Sequence, residues 1–269
     1  MIVKFKILFQ DICIRNNDWD EVIPSDLIIV WQRLLNDLKQ INEIRFLRPY
    51  CYTSIDDPVI SRELHGFCDA SKRAFGCCVY LRTEFKSGII KSSLITSKSR
   101  IAPIKGNTIP NLELSGALLL SNLMKQVKSE LESKLSIDKI YGWLDSTVVF
   151  CWLQNDKKTY KQFVQNRVIE IRKNKMINWK LVDTNKNPAD DVSRGLLLSE
   201  IVKNVRWQKG PHFLSLNHSL WPNLKPGDNF SSIETVNLFV GTEFEYSKLK
   251  NNEKNYLSGN QPRYKFSGV

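Results

Sequence analysis

Two short apolar runs, Leu64-His65-Gly66-Phe67-Cys68 and Ile140-Tyr141-Gly142-Trp143-Leu144, each end on an aspartate, Asp69 and Asp145. Runs of this length and composition predict buried strands. An acid at the carboxyl end of a buried strand narrows the folds open to the chain, because in an open α/β sheet that edge is where sites form. Two more acids stand at the starts of helical segments. Glu113 lies in the first turn of a segment from about Asn111 to Lys134, whose Leu112, Gly116, Leu119, Leu123, Val127 and Leu131 share one stripe. It heads a neighbouring row continued by Ala117, Leu120 and Met124, an expensive setting for an unpaired acid. Asp190 opens another helical segment just after Asn187-Pro188, with Pro188 expected at its first helical position.

Two further strands are expected at Ala74–Leu81 and Gly88–Thr96, the first separated from the Asp69 strand by Ala70-Ser71-Lys72-Arg73. After the long helix come a strand at Lys139–Leu144, helices at about Ser146–Gln154 and Gln162–Asn174, a strand at Asn178–Val182 and a short helix from Pro188. The order is β-β-β-α-β-α-α-β-α. Three regions separate on this reading: 1–59, 60–197 and 198–269. The first holds Leu27, Trp31, Leu34 and Leu38 at helical spacing, with Ser25 as the expected N-cap. The last carries Pro211, Pro222 and Pro226 with weak periodicity.

Length and composition, 269 residues with 42% hydrophobic and 25% charged, fit one sizeable domain with flanking segments. Lys and Arg exceed Asp and Glu by 39 to 28, giving +11 spread along the chain. A phosphate-rich partner is the first reading and general solubility the second. The six cysteines form no C-x-x-C pair, and four sit in apolar runs, which points to a reducing compartment. Three histidines cannot assemble a zinc finger at these spacings. The opening residues are too short and too lysine-rich for a signal peptide, and no 18-residue apolar stretch occurs. An intracellular protein, cytoplasmic or nuclear, without a membrane partner is expected.

The chemistry of four carboxylates gives a reason to group Asp69, Glu113, Asp145 and Asp190. Phosphodiester hydrolysis needs an activated water and stabilisation of the leaving oxygen, which two metal ions ~4 Å apart supply. Magnesium takes a few carboxylates plus water and phosphate, and manganese can substitute. Without cations the acids repel, and some titrate as coupled groups with raised values. Each acid also has a purely structural reading. Asp69 fits a turn, Glu113 and Asp190 suit helix starts, Asp145-Ser146 could cap the helix that follows, and Asp191 competes with Asp190.

The element order resembles the ribonuclease H fold. Phe67-Cys68-Asp69-Ala70-Ser71, Ile109-Pro110-Asn111-Leu112-Glu113-Leu114 with Gly116-Ala117-Leu118-Leu119, Trp143-Leu144-Asp145-Ser146, Asn166-Arg167-Val168, and Asn187-Pro188-Ala189-Asp190 with Ser193-Arg194-Gly195 together resemble the ribonuclease H region of BEL/Pao-type retrotransposon polyproteins. Asp18-Trp19-Asp20-Glu21 resembles the connection after reverse transcriptase, and Trp207-Gln208-Lys209-Gly210-Pro211 the stretch before integrase. The resemblance implies an α/β ribonuclease H-like fold with a mixed five-stranded sheet and helices on both faces. It implies that Asp69, Glu113, Asp145 and Asp190 are catalytic and bind two magnesium ions for endonucleolytic cleavage of RNA in RNA/DNA hybrids. Residues 1–59 then become a connection segment, 60–197 the ribonuclease H-like domain and 198–269 a linker before integrase. Reverse transcriptase and integrase portions of a polyprotein are the implied protein partners.

Two departures accompany the resemblance. Many ribonucleases H have a histidine in the loop before the last acid, where this chain has Thr184-Asn185-Lys186-Asn187. Polymerase, protease and integrase signatures are also missing, so the sequence reads as a fragment of the polyprotein pattern. A catalytically inactive nucleic-acid-binding or structural remnant is one alternative. A DDE-type transposase or integrase core is another, although its last glutamate would sit on a later helix.

Lys157, Lys158, Lys161, Arg167, Arg172, Lys173 and Lys175 are expected to form either a phosphate-facing surface or a solvated charged face. Ser71, Ser146 and Asn166 are expected near the cleft as contacts to sugar or phosphate, where 2′-hydroxyls would distinguish RNA from DNA, or as residues that finish turns. Trp143 and Trp152 read as core rather than stacking platforms.

Overall fold

In the computed structural model, which describes residues 1–15, 20–43 and 56–228, three long strands follow one another as a meander: β1 (Val59–Ala70), β2 (Ala74–Phe85) and β3 (Ile90–Ile101). Cys51 and Asp18-Trp19 lie outside the described residues. Two shorter strands, β4 (Lys139–Leu144) and β5 (Ile177–Leu181), complete one sheet of order β3-β2-β1-β4-β5. β1 pairs antiparallel with β2 and parallel with β4, so the sheet is mixed. The parallel joins need crossovers, which α3 (Ile109–Glu132), α4 (Thr147–Gln154) and α5 (Gln162–Lys173) supply. All the described residues lie in one compact unit, Met1–Ser231.

β1 to β3 run longer than the apolar runs because pairing also buries polar residues that an apolar criterion passes over. Arg82 is fully buried in β2 and Glu63 nearly so in β1. α3 matches the expected stripe: Leu112, Gly116, Leu119, Leu123 and Val127 are buried. It packs with Leu64, Cys68, Val79, Ile140 and Leu144 on one face of the sheet. Gly66 sits beneath it. A Cβ there would stand 2.5 Å from Leu120 Cδ1 and 2.9 Å from Met124 Sδ, so the glycine sets how closely α3 approaches β1.

The other face carries Phe67, Tyr80, Tyr141 and Trp143. It is covered by α6 (Asp190–Arg194), α8 (Val205–Lys209) and the segment through Phe213, Leu214 and Trp221. Helices therefore lie on both faces. Trp143 is fully buried and Trp152 packs against the main core, as core residues would. Arg82 fastens this covering segment to the sheet, donating to the carbonyls of Leu214 at 3.0 Å and Leu216 at 3.2 Å while pairing with Glu63 at 3.0 Å and Glu84 at 3.1 Å. Burial works against the Glu63 carboxylate, yet contacts with His65 and His218 bring it down to about 2. Burial pushes His65 down to about 4. Trp143 Nε1 donates to its Nδ1 at 3.1 Å, which assigns the proton of the neutral ring to Nε2.

α1 (Ile2–Arg15) and α2 (Ser25–Leu38) form a hairpin whose Leu8, Leu27 and Leu34 pack together with Leu197. α1 also reaches the sheet, with Lys6 Nζ donating to Ser99 O at 2.7 Å and Gln10 Nε2 to Ala102 O at 2.8 Å. Asp37 caps α7 (Leu198–Lys203) by accepting from the amides of Leu198 and Ser199. Ser25 is not the N-cap of α2. Pro24 takes that position and its carbonyl accepts from Leu27 and Ile28, leaving Ser25 inside the first turn. Among the described residues no helix is long and apolar enough to cross a membrane.

Candidate active site

Phe67 of β1 stands opposite Trp143 of β4 in parallel register. Two residues further on lie Asp69, near the end of β1, and Asp145, directly after β4 ends, so both aspartates stand at the carboxyl ends of adjacent parallel strands. The first turns of α3 close over this edge. A Cβ on Gly116 would lie 3.3 Å from the Asp69 carbonyl oxygen, which places Glu113, one helical turn earlier, beside the two aspartates. α6 approaches from the opposite face. Its Ser193 hydroxyl donates to Asp69 Oδ2, and its first residue is Asp190.

Asn187 is the joint that fixes this approach. Fully buried, it donates from Nδ2 to Cys68 O at 2.9 Å, accepts from the Ala189 amide at 3.0 Å and hydrogen-bonds the Asp145 carboxylate. Pro188 does not occupy the first helical position of α6. Ala189 is the N-cap, because Asn187 holds the chain in a turn through Pro188 and Ala189 before the helix starts.

Electrostatics tie the four acids into one group. Burial pushes the Asp145 carboxyl well above the usual carboxylate range, and the neighbouring Asp69 and Glu113 charges push it further. Part of Asp145 still meets solvent, but protein crowds its carboxylate. Asp69, 8% exposed, is raised by burial and by Asp190, against the hydrogen bond from Ser193. Asp190 is raised by burial and by Asp191, against Arg194. Arg194 Nε lies 2.6 Å from Asp190 Oδ1. Asp191 is occupied elsewhere, accepting from Asn204 Nδ2 at 3.0 Å and Arg206 at 2.8 Å, which separates the two neighbouring aspartates.

Crowded hard oxygen donors with raised proton affinity are the donor chemistry that suits a divalent cation. As the side chains stand, no three Asp, Glu, His or Cys among the described residues surround one point closely enough to hold a single ion. In this arrangement Ser193 engages Asp69 and Arg194 engages Asp190.

The remaining candidates behave differently. Ser146 is the N-cap of α4, accepting from Val149 N at 3.3 Å, so its hydroxyl serves the helix. Ser71 closes the β1–β2 turn: its hydroxyl lies 3.1 Å from Ala74 O and accepts from the amides of Arg73 and Ala74. Lys157, Lys158 and Lys161 are exposed on the loop between α4 and α5. The length of α4, about 12 Å, separates Lys157 from Asp145 along the chain. Asn166 is exposed on α5. Arg167 lies against the Phe163 ring, 3.4 Å from its centroid, and donates to Phe163 O. Three residues with direct roles around the acids, Asn187, Ser193 and Arg194, carried a signal in their i+3 and i+4 spacing from Asp190 and in the Asn-Pro turn before it.

Solved structures similar to this chain include an N-terminal RNase H domain from Mycobacterium tuberculosis, at 11% identity and TM-score 0.34, covering 53% of this chain and 95% of that one. RNase H1 from Halobacterium salinarum matches at 12% identity and TM-score 0.33, covering 49% and 93%. LC11-RNase H1, solved in complex with an RNA/DNA hybrid, matches at 13% identity and TM-score 0.33, covering 52% and 99%. No curated protein matches the chain. Residues 1–146 match the family described as Pao retrotransposon-like RNaseH-like domain, a span that takes in Asp69, Glu113 and Asp145. With more than half of its length inside that match, and with an α/β fold built on a mixed five-stranded sheet, this chain belongs to the Pao retrotransposon-like RNaseH-like family.

Proposed function

We propose that this protein is a retroelement-derived ribonuclease H that cleaves the RNA strand of RNA/DNA hybrids with divalent metal ions. The observation that carries the reading is the convergence of acids from β1, α3, the end of β4 and α6, with the Asp69 and Glu113 charges acting on Asp145 and the Asp190 charge on Asp69. A purely structural role would leave Asp69 and Asp145 paired with cationic side chains, yet the field at Asp145 comes from other acids. Asp69, Glu113, Asp145 and Asp190 would hold magnesium, or manganese in its place. The metal would supply Lewis acidity and an activated water.

The chain's own residues do the holding. Asn187 orients Asp145 and locks α6 against β1. Ser193 orients Asp69, and the aromatic face beneath keeps the strand ends rigid. We read residues 1–59 as a connection after reverse transcriptase and 198–269 as a linker before integrase, which makes those polyprotein portions the proposed partners. A net charge of +11 suits a phosphate backbone. The test is cleavage of end-labelled RNA/DNA hybrid, single-stranded RNA and duplex DNA, each with magnesium and with chelator. Cleavage confined to the hybrid and to magnesium supports the reading. Binding without cleavage of any substrate in magnesium or manganese would leave the inactive remnant in its place.

A further inference from the structure

Arg194 reaches the proposed site by a contact unlike the other ion pairs around it. Its guanidinium Nε lies 2.6 Å from Asp190 Oδ1, four residues earlier on α6, while the side chain is 70% exposed. The contact is ionic rather than a directed hydrogen bond, because the buried Oδ1 has no hydrogen-bond partner of acceptable geometry. The Arg206–Asp191 pair beside it is built for permanence. Asp191 is 9% exposed, Asn204 donates to the same carboxylate, and Arg206 also donates to Asn185 O. An exposed, poorly directed pair contributes little and exchanges readily. Gly195, at φ 76°, ends α6 directly after Arg194, so the side chain stands at a helix terminus with solvent around it.

We propose that Arg194 gates the last acid: it holds the Asp190 carboxylate, must be displaced before that carboxylate can take a cation, and on release pairs with a backbone phosphate of the nucleic-acid substrate. The inference rests on the proposed metal-dependent nuclease reading and adds a residue to it. Two observations meet here. Asp190 faces the acid group, since its charge raises Asp69, and one of its oxygens is already taken by a cation that the chain itself supplies. A guanidinium freed from a carboxylate is well suited to phosphate, whose oxygens match its planar fork. Metal and Arg194 therefore compete for one oxygen, whereas Arg194 and substrate are complementary.

The two relations predict opposite changes from one substitution, which a merely structural role would not produce. Manganese binding to the wild-type chain and to Arg194→Met is measured by titration calorimetry, alongside anisotropy of a labelled hybrid in chelator as salt is varied. Manganese is expected to bind Arg194→Met roughly three- to tenfold more tightly, because a unit charge within a few ångströms of the site is gone. Hybrid affinity is expected to fall, with a salt slope lower by about one unit. Arg194→Lys, which keeps the charge but loses the fork, should restore the wild-type manganese affinity and most of the salt slope. Circular dichroism melting of each variant verifies the fold. Wild-type manganese binding with no change in Arg194→Met would overturn the gate and leave the nuclease reading intact. A wild-type chain that binds no manganese would overturn both.

Discussion

Asp145 shows what a crowded carboxylate does to the protein that carries it. Its proton affinity is raised by burial first and by Asp69 and Glu113 next, so the folded chain binds this proton more tightly than the unfolded chain does. In such a case stability is highest at acid pH and falls as pH rises from the unfolded value through the raised folded value. Asp145→Asn removes that loss. In chelator at pH 7 the variant should melt above wild type, by roughly 2–4 °C for each kcal/mol of repulsion relieved. The gain should shrink as pH falls toward 4. His65, held down to about 4, acts in the opposite sense, because stability is lost as pH falls from its ordinary value through 4. It is present in both proteins and cancels in the difference. A variant that melts below wild type at pH 7 would show that Asp145 is held by a structural bond stronger than the repulsion around it.

Among the elements, α3 and the covering segment from Val205 to Trp221 carry the sheet between them. Gly66→Ala would drive a methyl group into Leu120 and Met124 and should cost about 1–3 kcal/mol through overpacking. Trp221 packs on His65, Tyr141, Trp143 and Phe213, so Trp221→Ala should cost about 3–5 kcal/mol. Urea unfolding of the two variants checks both; a Trp221→Ala loss under 1 kcal/mol would mean that the segment merely rests on the sheet. The order of strands and helices from β1 to α6 was legible because α3 keeps one apolar stripe and β4 one apolar run. The helix α1 was not, since Lys4, Lys6, Gln10 and Asp11 interrupt its apolar positions and its partners lie far along the chain on β3. The roles of α8 and Trp221 were hidden by prolines and weak periodicity, because that segment is held by side chains such as Arg82 and Tyr80 rather than by its own pattern. At the site, the strand-end settings of Asp69 and Asp145 were readable. The duties of Ser146 and Ser71 as cap and turn closer were equally permitted by sequence, and only their hydrogen bonds separate such uses from ligand contact.

The chain as a whole is basic, at +11, and its acidic group lies where β1 and β4, two inner strands of the sheet, end. Phosphates should therefore be drawn to the surface around the cluster, with affinity falling steeply as salt rises and depending little on base sequence. Replacing Lys157, Lys158 and Lys161 together with alanine should lower the salt slope of hybrid binding by up to about three units if the α4–α5 loop meets the backbone. An unchanged slope assigns that loop to solvent and the substrate track to another face. Hybrid cleavage in magnesium by wild type and by Asp145→Asn, with hybrid binding measured in parallel, tests the four-acid site most directly. An amide keeps the shape of the side chain and loses the charge that holds cations. The expected result is magnesium-dependent cleavage by wild type and cleavage reduced at least 100-fold by the variant, on the order of one lost metal contact, with binding retained. Equal cleavage by the two proteins, or cleavage by wild type that persists in chelator, would contradict it.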